Sequence, residues 1–274
     1  VFTRSGNNWV QQAYIKASNT DADDLFGSSM GIDNNQLVIG APGEASEATG
    51  IDGDQFNNND TLAGAAYLFT RNGDSWTQNH YIKASNTAGG DEFATAVDIS
   101  GNHIVIGAPG QDQDVNGGSA SFAGAAYVFT QTDVGLIQQN YLKGFNTGTS
   151  DQFGMAVAIS GAQLLIGANG EDSNETGTGG NGDNNSANNS GATYSFIRHD
   201  QDWVQEDYIK ASNTGAFDEL GFDLAIESGV IVIGAHREGS NDTGVGGNGN
   251  NNSASTSGAV YTFTDDLIFK DGFE

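Results

Sequence analysis

The stretch that decides the fold is FGSSMGIDNNQLVIGAPG, residues 26–43, in which two short apolar runs flank an Asp-Asn-Asn turn. It returns as residues 93–110 (FATAVDISGNHIVIGAPG), as residues 153–170 (FGMAVAISGAQLLIGANG) and, more divergent, from residue 220 onward (LGFDLAIESGVIVIGAH). The segments between these copies recur with them. The chain is therefore a repeat array, and each copy marks one structural unit.

Each complete unit contains four short segments that are rich in β-forming residues and bounded by Gly, Asn, Asp or Ser. In the first complete unit they are Phe26–Ile32, Gln36–Ala41, Ala63–Thr70 and Trp76–Ala84. Four strands in a unit of about sixty residues, with no helical periodicity, predict an antiparallel blade of a β-propeller. The predicted fold is an all-β propeller of about four blades over residues 1–264. The C-terminal tail, Asp265–Glu274, leaves the repeat and is either an edge strand or a sorting tag.

The two ends of the array are incomplete units. The fourth unit stops after its third segment, Gly258–Thr264, whereas Trp9–Ala17 near the N-terminus matches a fourth strand. We therefore predict that the N-terminal strand completes the last blade, which removes unpaired edges. Val1–Thr3 also matches a third strand, a place that Val260–Thr264 already fills. The alternative is that the chain is a fragment of a longer propeller.

Residues that recur at one position in every unit indicate framework. A glycine recurs where a side chain would block close backbone approach: Gly40, Gly107, Gly167 and Gly234. A lysine and an aspartate also recur in each unit: Lys16, Lys83, Lys143 and Lys210, with Asp24, Asp91, Asp151 and Asp218. We interpret these as Lys–Asp pairs that lock each blade connection, because what every blade carries usually serves stacking. A ring of binding sites is the alternative.

The parts that vary between units are the long loops between the second and third strands, at residues 43–63, 110–123, 170–190 and 237–257. Consecutive strands alternate in direction, so these loops leave the same side of the propeller as the acidic connections between blades. We call this side the long-loop face and expect any ligand there.

The long loops also contain the candidate metal ligands. Asp112, Asp114 and Asn116 match the opening of a calcium loop, which alternates oxygen ligands before a glycine, but the closing Glu is absent. A looser version is formed by Asp52, Asp54 and Asp60. The two interpretations are a Ca²⁺ site in these loops and a solvated polar loop.

Composition restricts the class of partner. The 274 residues carry 35 acidic and 9 basic side chains, and the resulting net charge of −26 repels nucleic acid and anionic membranes while attracting cations. No apolar run approaches the ~20 residues that a membrane helix needs. The absence of cysteine excludes a disulfide framework. The 4 histidines fall at unrelated repeat positions, so we predict no catalytic residues.

The dipeptides Phe26-Gly27 and Phe153-Gly154, followed by Gly-Ala-Pro at residues 40–42 and 107–109, resemble the FG-GAP repeat of integrin α-subunit propellers. The fuller unit is more similar to secreted bacterial FG-GAP proteins, and the resemblance covers residues 1–264. It implies an extracellular propeller for adhesion or ligand binding, often with Ca²⁺ in acidic loops. The integrin calcium loop lies between the first and second strands, where this chain has only short turns such as Asp33-Asn34-Asn35. That site cannot be carried over.

Taken together, the sequence leads us to expect a non-enzymatic module, secreted or at the cell surface of a bacterium, that binds a protein or glycan on the long-loop face. Ca²⁺ is the candidate cofactor, no catalytic or organic-cofactor site is expected, and the oligomeric state is open. The alternatives are structural spacer blades of a larger surface protein and an enzyme with its site in the central channel.

Overall fold

The computed structural model describes residues 1–247 and 249–264, and all regular secondary structure in them is β-strand. The strands are short because Gly, Asn, Asp and Ser turns interrupt the apolar runs. In these residues no helix is long and apolar enough to cross a membrane. The tail at residues 265–274, for which an edge strand or a sorting tag was considered, lies outside the described residues.

Four antiparallel sheets form the blades of a propeller, as predicted. Blade 1 contains β3 (Met30–Asp33), β4 (Gln36–Ala41), β5 (Ala65–Asn72) and β6 (Ser75–Ile82). Blade 2 contains β7 (Val97–Ser100), β8 (His103–Ala108), β9 (Ala125–Thr132) and β10 (Gly135–Leu142). Blade 3 contains β11 (Ala156–Ser160), β12 (Gln163–Ala168), β13 (Ala192–His199) and β14 (Asp202–Ile209). Blade 4 contains β15 (Leu220–Glu227), β16 (Val230–Ala235) and β17 (Ala259–Thr264).

The remaining strands, β1 (Phe2–Ser5) and β2 (Asn8–Gln11), form a separate hairpin at the N-terminus. The prediction that the N-terminal strand completes the last blade is wrong, because β2 pairs with β1 and β17 pairs with β16. A two-residue turn joins β1 to β2, so this pairing closes a far smaller loop than pairing with β17 would. The hairpin region packs on blade 1, where Val1 and Ile15 lie against the cluster around Tyr67.

The first strands of the four blades line a central cavity of about 430 Å³. Small side chains such as Ala96, Ala156 and Ala158 face it. The first strand of the stretch at residues 26–43, with its copies, therefore forms the inner wall of the blades.

Consecutive blades pack through apolar side chains from facing sheets. Val38 and Leu68 of blade 1 belong to one buried cluster with Ile104 and Ile106 of blade 2. Clusters of the same kind join blade 2 to blade 3 and blade 3 to blade 4. Blades 2 and 3 therefore each bury one face against the preceding blade and the other against the following blade.

The recurring glycine sits where one blade touches the start of the next. A Cβ atom on Gly167 would lie 2.0 Å from the carbonyl oxygen of Gly221 in the following blade. A Cβ atom on Gly40 or Gly107 would likewise lie 2.2 Å or 1.9 Å, respectively, from a carbonyl oxygen at the start of the next blade. At Gly234 in blade 4 the nearest atom is 3.6 Å away and belongs to the same blade. The predicted close approach is confirmed wherever another blade follows.

This contrast gives a matched pair of substitutions. We expect Gly167→Ala to lower the free energy of unfolding by about 1–3 kcal/mol, because the added methyl group forces two backbones apart. Gly234→Ala, at the equivalent position, is expected to change it by no more than about 0.5 kcal/mol. Denaturant unfolding of both variants measures the difference. Equal effects would show that the contact between blades does not restrict this position.

Candidate functional site

The long-loop face is built by hydrogen bonds between the loops and the connections that enter each blade. The amide of Glu92, which precedes blade 2, donates to the carbonyl oxygen of Leu62 at 2.8 Å, and Gln152 donates likewise to Phe122 at 2.9 Å. The amide of Gly43 at the start of the first long loop donates to Asp24 at 3.1 Å. The loops and connections therefore share one face, as predicted from strand direction.

A buried ion pair lies beneath this face in blade 1. The ammonium of Lys83 donates to Glu44 Oε2 at 2.9 Å, and both side chains are almost inaccessible to solvent. The second oxygen of Glu44 accepts from Asn19 Nδ2 at 3.0 Å, and Asn19 Oδ1 in turn accepts from the Tyr67 hydroxyl at 2.7 Å. Blade 3 repeats the arrangement with Lys210, Glu171, Asn146 and Tyr194.

The partner of the repeated lysine is thus a glutamate, so the predicted Lys–Asp pairing is wrong. Asp151 instead accepts a hydrogen bond from the backbone amide of Gly148 at 2.7 Å and closes the turn that enters blade 3. Asp24, Asp91 and Asp218 do the same for their own connections. The missed glutamate was visible in the sequence, because Glu44, Glu171 and Glu238 each stand four residues after the repeated glycine. The structure supports a locking role for the lysines.

Blade 2 departs from this arrangement because Gln111 replaces the glutamate. The Lys143 ammonium donates to Gln111 Oε1 at 2.7 Å and to the backbone carbonyls of Gln113 and Gly124. Burial lowers the pKa of Lys143 to about 8, against the opposing attraction of Asp114 and other nearby carboxylates. A shallow pocket of about 340 Å³ lies next to Gln111 on the long-loop face.

The aspartates that close the blade connections are also perturbed. Burial, together with the neighbouring carboxylates of Glu171 and Asp172, raises the pKa of Asp151 to about 7. Burial likewise raises the pKa of Asp91 and of Asp218 to about 6. A buried carboxylate surrounded by other acids holds its proton because the charged form is poorly solvated.

The predicted metal ligands of blade 2 organise their own loop. Asp114 Oδ1 accepts from the amides of Asn116 and Gly118 at 2.7 Å and 2.8 Å, and Asp112 Oδ1 accepts from Phe122 at 2.9 Å. This is the side-chain-to-backbone bonding of an aspartate-stabilised turn. The Oδ2 atom of each aspartate accepts no hydrogen bond from the described residues.

The candidates in the loop of blade 1 lie apart from these. Asp52 bridges His80 Nδ1 at 2.8 Å and the Tyr81 amide at 3.0 Å. Asp54 Oδ1 accepts from the Phe56 amide, whereas Asp60 contributes its backbone to the end of the loop. Within the described residues, no group of three or more His, Cys, Asp or Glu side chains is arranged to hold a metal ion. The two predicted ligand sets lie in the separate loops from which the sequence predicted them.

The sequence did not reveal how the long-loop face displays apolar side chains. Leu25, Leu62, Phe122 and Phe217 are exposed and have φ angles of 58°, 59°, 54° and 69°. Bulky residues seldom adopt this left-handed conformation, which costs about 1 kcal/mol or more. Leu62 and Phe122 share one repeat position, Leu25 and Phe217 occupy two others, and the left-handed conformation recurs at each of these positions in the remaining units. The apolar side chains at these positions are thereby fixed toward solvent.

The sequence matches the family model described as "FG-GAP repeat" over residues 9–69, 76–129 and 138–196. The chain belongs to the FG-GAP repeat family. Each match begins in the last strand of one unit, at β2, β6 or β10, and ends in the third strand of the next blade. The FG-GAP repeat is therefore offset by one strand from the structural blade.

No curated protein matches the chain. Among solved structures, 69 chains match. One of these is a protein from Bacteroides uniformis ATCC 8492 that is provisionally described as a 6-phosphogluconolactonase, with a TM-score of 0.45 and 8% sequence identity. The match covers 78% of this chain and 51% of that one, so the chain spans about half the length of that structure. A likeness at this level carries no argument about function.

The perturbed aspartates of the FG-GAP connections predict an unusual pH dependence. The folded pKa of Asp151, about 7, exceeds the unfolded value of about 3.9, so its contribution to stability is complete below about pH 4 and is lost as the pH rises through 7. Asp151→Asn keeps an acceptor for the Gly148 amide but cannot ionise. We expect the variant to match the wild type near pH 3.5 and to exceed its unfolding free energy by about 1.5 kcal/mol at pH 5 and by about 4 kcal/mol at pH 8.

Denaturant unfolding across this pH range provides the measurement. Asp133→Asn, in the exposed turn between β9 and β10, is the matched control and is expected to follow the wild-type profile. A profile for Asp151→Asn that parallels the wild type at every pH would contradict the assignment of this titration to Asp151.

Proposed function

We propose that this FG-GAP propeller is a non-enzymatic binding or adhesion module of the cell exterior that engages a protein or glycan ligand on its long-loop face. The observation that carries the proposal is the distribution of exposed apolar side chains. Eight exposed large apolar residues lie in loops and connections of this face, whereas Val134 alone occupies a turn of the opposite face among the described residues. The eight are Leu25, Phe56, Leu62, Val115, Phe122, Phe145, Phe217 and Val245.

The chemistry of this face suits recognition more than catalysis. Phenyl rings stand among Asn, Asp, Ser and Gly residues, a combination that contacts the apolar face of a sugar or an apolar peptide side chain while bonding its polar groups. The left-handed backbone at Phe122 and Phe217 holds both residues in place before a ligand binds, which lowers the ordering cost of binding. The acidic surface further favours ligands that carry positive charge or bind through cations.

The central channel offers less support for an enzyme. Asp98, an acid that lines it, uses Oδ1 to accept from the Ile99 amide at 2.8 Å and Oδ2 to accept from the Ile159 amide at 2.9 Å. Oδ2 therefore connects blade 2 to blade 3, whereas Oδ1 is bonded within blade 2. The aspartate has a structural task that accounts for its burial.

The test of this proposal uses Phe122→Asn. Asparagine tolerates the left-handed conformation and occupies the equivalent position in blade 3, at residue 189, so the variant is expected to melt at or above the wild-type temperature. We expect it to lose at least about tenfold in affinity on an immobilised glycan array or on purified extracellular-matrix proteins, since exposed aromatic anchors dominate such contacts.

Val134→Asn, on the opposite face, is the control and is expected to bind like the wild type. Equal binding by Phe122→Asn and the wild type would contradict the assignment of the ligand to this face. Absence of any wild-type binding on both arrays would instead favour the alternative of structural spacer blades.

Calcium enters the proposal as a stabilising ion at the loop of Asp112, Asp114 and Asn116. The two free Oδ2 atoms favour this position, although Ca²⁺ would need further oxygens from backbone carbonyls or water to reach its usual six to eight ligands. We expect millimolar CaCl₂ to raise the melting temperature of chelator-treated protein by a few degrees, and Asp114→Asn to reduce that increase. Calorimetry without heat of binding and without a shift in melting temperature would remove calcium from the proposal.

A further inference from the structure

Blade 2 differs from the other blades in the network beneath its long loop. In blades 1, 3 and 4 the repeated asparagine donates through Nδ2 to the buried glutamate and to a backbone carbonyl of the loop above it. These carbonyls lie at 2.9 Å, 3.2 Å and 2.9 Å and belong to Gln55, Gly182 and Gly249. Both protons of the asparagine amide group therefore have acceptors in these three units.

Asn86, the equivalent asparagine of blade 2, has neither acceptor. Gln111 replaces the glutamate, and the long loop of this blade, residues 110–123, is seven residues shorter than the other three. Among the described residues, the Asn86 side chain is bonded only through Oδ1, which accepts from the Tyr127 hydroxyl at 2.9 Å. Asn86 is exposed, whereas the asparagines of the other three units are half-buried. The short loop thus leaves an opening above the network.

Gln111 also has an unused donor, and its orientation is fixed. Its Oε1 atom accepts from Lys143 Nζ at 2.7 Å, from the Tyr141 hydroxyl at 2.9 Å and from the Gln113 amide at 3.2 Å. An ammonium and a backbone amide can only donate, so Oε1 must face them and Nε2 must point away. Gln111 is 4% exposed, yet its Nε2 atom donates to no atom in the described part of the chain. Leaving such a donor without an acceptor is costly.

Comparison with blade 1 shows where this donor points. Glu44 Oε2 accepts from Lys83 and from the Ser46 amide, and Gln111 Oε1 makes the equivalent two bonds in blade 2. Gln111 Nε2 therefore takes the place of Glu44 Oε1, the atom that accepts from Asn19. In blade 2 an amide donor thus meets the amide donor of the repeated asparagine.

Turning the Asn86 amide group over would not repair this mismatch. Tyr127 is fully buried, and Asn86 Oδ1 accepts the proton of its hydroxyl group. If Nδ2 took the place of Oδ1, that hydroxyl would have no acceptor among the described residues. Asn86 Nδ2 and Gln111 Nε2 therefore both need an oxygen atom from outside the chain.

Both residues line the pocket of about 340 Å³ on the long-loop face. Asp112 lines the same pocket, and its Oδ2 atom accepts no hydrogen bond from the described residues. Its Oδ1 atom accepts from the amide of Phe122, so the pocket adjoins an exposed phenyl ring of this face. The volume is at the lower end of the roughly 300–1,000 Å³ that is usual for ligand pockets. The pocket thus combines two unused donors with an unused acceptor.

These groups select the class of ligand. A carboxylate or phosphate could accept from the two amide groups, but Asp91 and Asp112 in the pocket would repel it. A cationic group would suit the acids but could not accept from the amides. A hydroxyl group does both, because its oxygen accepts while its proton is donated. All side chains that line the pocket are small or polar, so an apolar peptide side chain finds no contact there.

We propose that the pocket of blade 2 binds one neutral sugar residue, whose adjacent hydroxyl oxygens accept from Gln111 Nε2 and Asn86 Nδ2 and which donates a hydroxyl proton to Asp112 Oδ2. The inference rests on the proposed function, because it names the class of ligand for the long-loop face. The sugar supplies the oxygen atoms that the glutamate and the loop carbonyl supply in the other blades. There the longer loop occupies the place of the ligand.

Gln111→Glu tests the proposal by giving blade 2 the glutamate of blades 1 and 3. The new carboxylate can accept from Asn86 and pair with Lys143, so the variant is expected to melt at or above the wild-type temperature. It removes one donor, satisfies the other and adds a negative charge. We therefore expect neutral sugars to bind at least about tenfold more weakly than to the wild type.

The measurement is an NMR titration of isotope-labelled protein with methyl mannoside, methyl galactoside and N-acetylglucosamine, followed through the side-chain amide signals of Gln111 and Asn86. A chelator is present throughout, so that no metal ion in the loop of Asp112 contributes. Asn86→Asp is a second variant: one oxygen still accepts from Tyr127 and the other accepts from Gln111 Nε2. It is also expected to bind sugars at least about tenfold more weakly.

Gln201→Glu, the same change in the exposed turn between β13 and β14, is the control and is expected to bind like the wild type. Three results would each overturn the proposal: no sugar-induced shift in the wild type, equal sugar binding by the wild type and the two pocket variants, or a response to acetate in place of sugars.

These outcomes are separate from those of the proposed function. Matrix-protein binding through Phe122 without a sugar response at Gln111 would remove the sugar site and leave the binding module in place. A sugar response at Gln111 without binding on either array would support the sugar site and contradict the adhesive role.

Discussion

The close backbone contact between consecutive blades is the constraint on which this structure depends. The second strand of each blade passes so near the start of the next that only glycine fits at residues 40, 107 and 167. The ends of the long loops and the starts of the blades adopt left-handed conformations at the same positions in every unit, and Leu62 and Phe122 are held in this way. The variable loops are therefore built on a repeated backbone frame.

The second organising feature is the placement of the few positive charges. The chain has few cations, and it places Lys83, Lys143 and Lys210 inside the protein, beneath the loops. There the lysines satisfy buried oxygens from loops that would otherwise repel one another. Acidic side chains dominate the outer surface. Their repulsion between molecules opposes association through the exposed strands and phenyl rings. Removal of one buried lysine would therefore affect the loop above it as well as the blade.

Much of the fold could be predicted from the sequence because the repeat supplies four readings of each position. Gln36–Ala41, for example, was predicted to the residue. The glutamate partner of Lys83 was missed because acids are so abundant that a recurrent one did not stand out. The pairing of β2 could not be read from the repeat, since Val1–Ser5 and Ala259–Thr264 fit the same place and only chain connectivity distinguishes them. The exposure of Phe122 depends on a φ angle that no side-chain pattern reports.

The offset between the FG-GAP repeat and the blade has a consequence for how such a chain can change in length. Each repeat carries the outer strand of one blade and the inner three strands of the next. A duplicated repeat therefore supplies the outer strand that the blade before it needs and three inner strands that the repeat after it completes. When a repeat is deleted, the blades on either side can still pair in the same way. The same overlap means that no repeat can unfold without breaking two sheets. Unfolding is then expected to spread through the whole array as one cooperative event, and the gene can gain or lose blades without inventing a new interface.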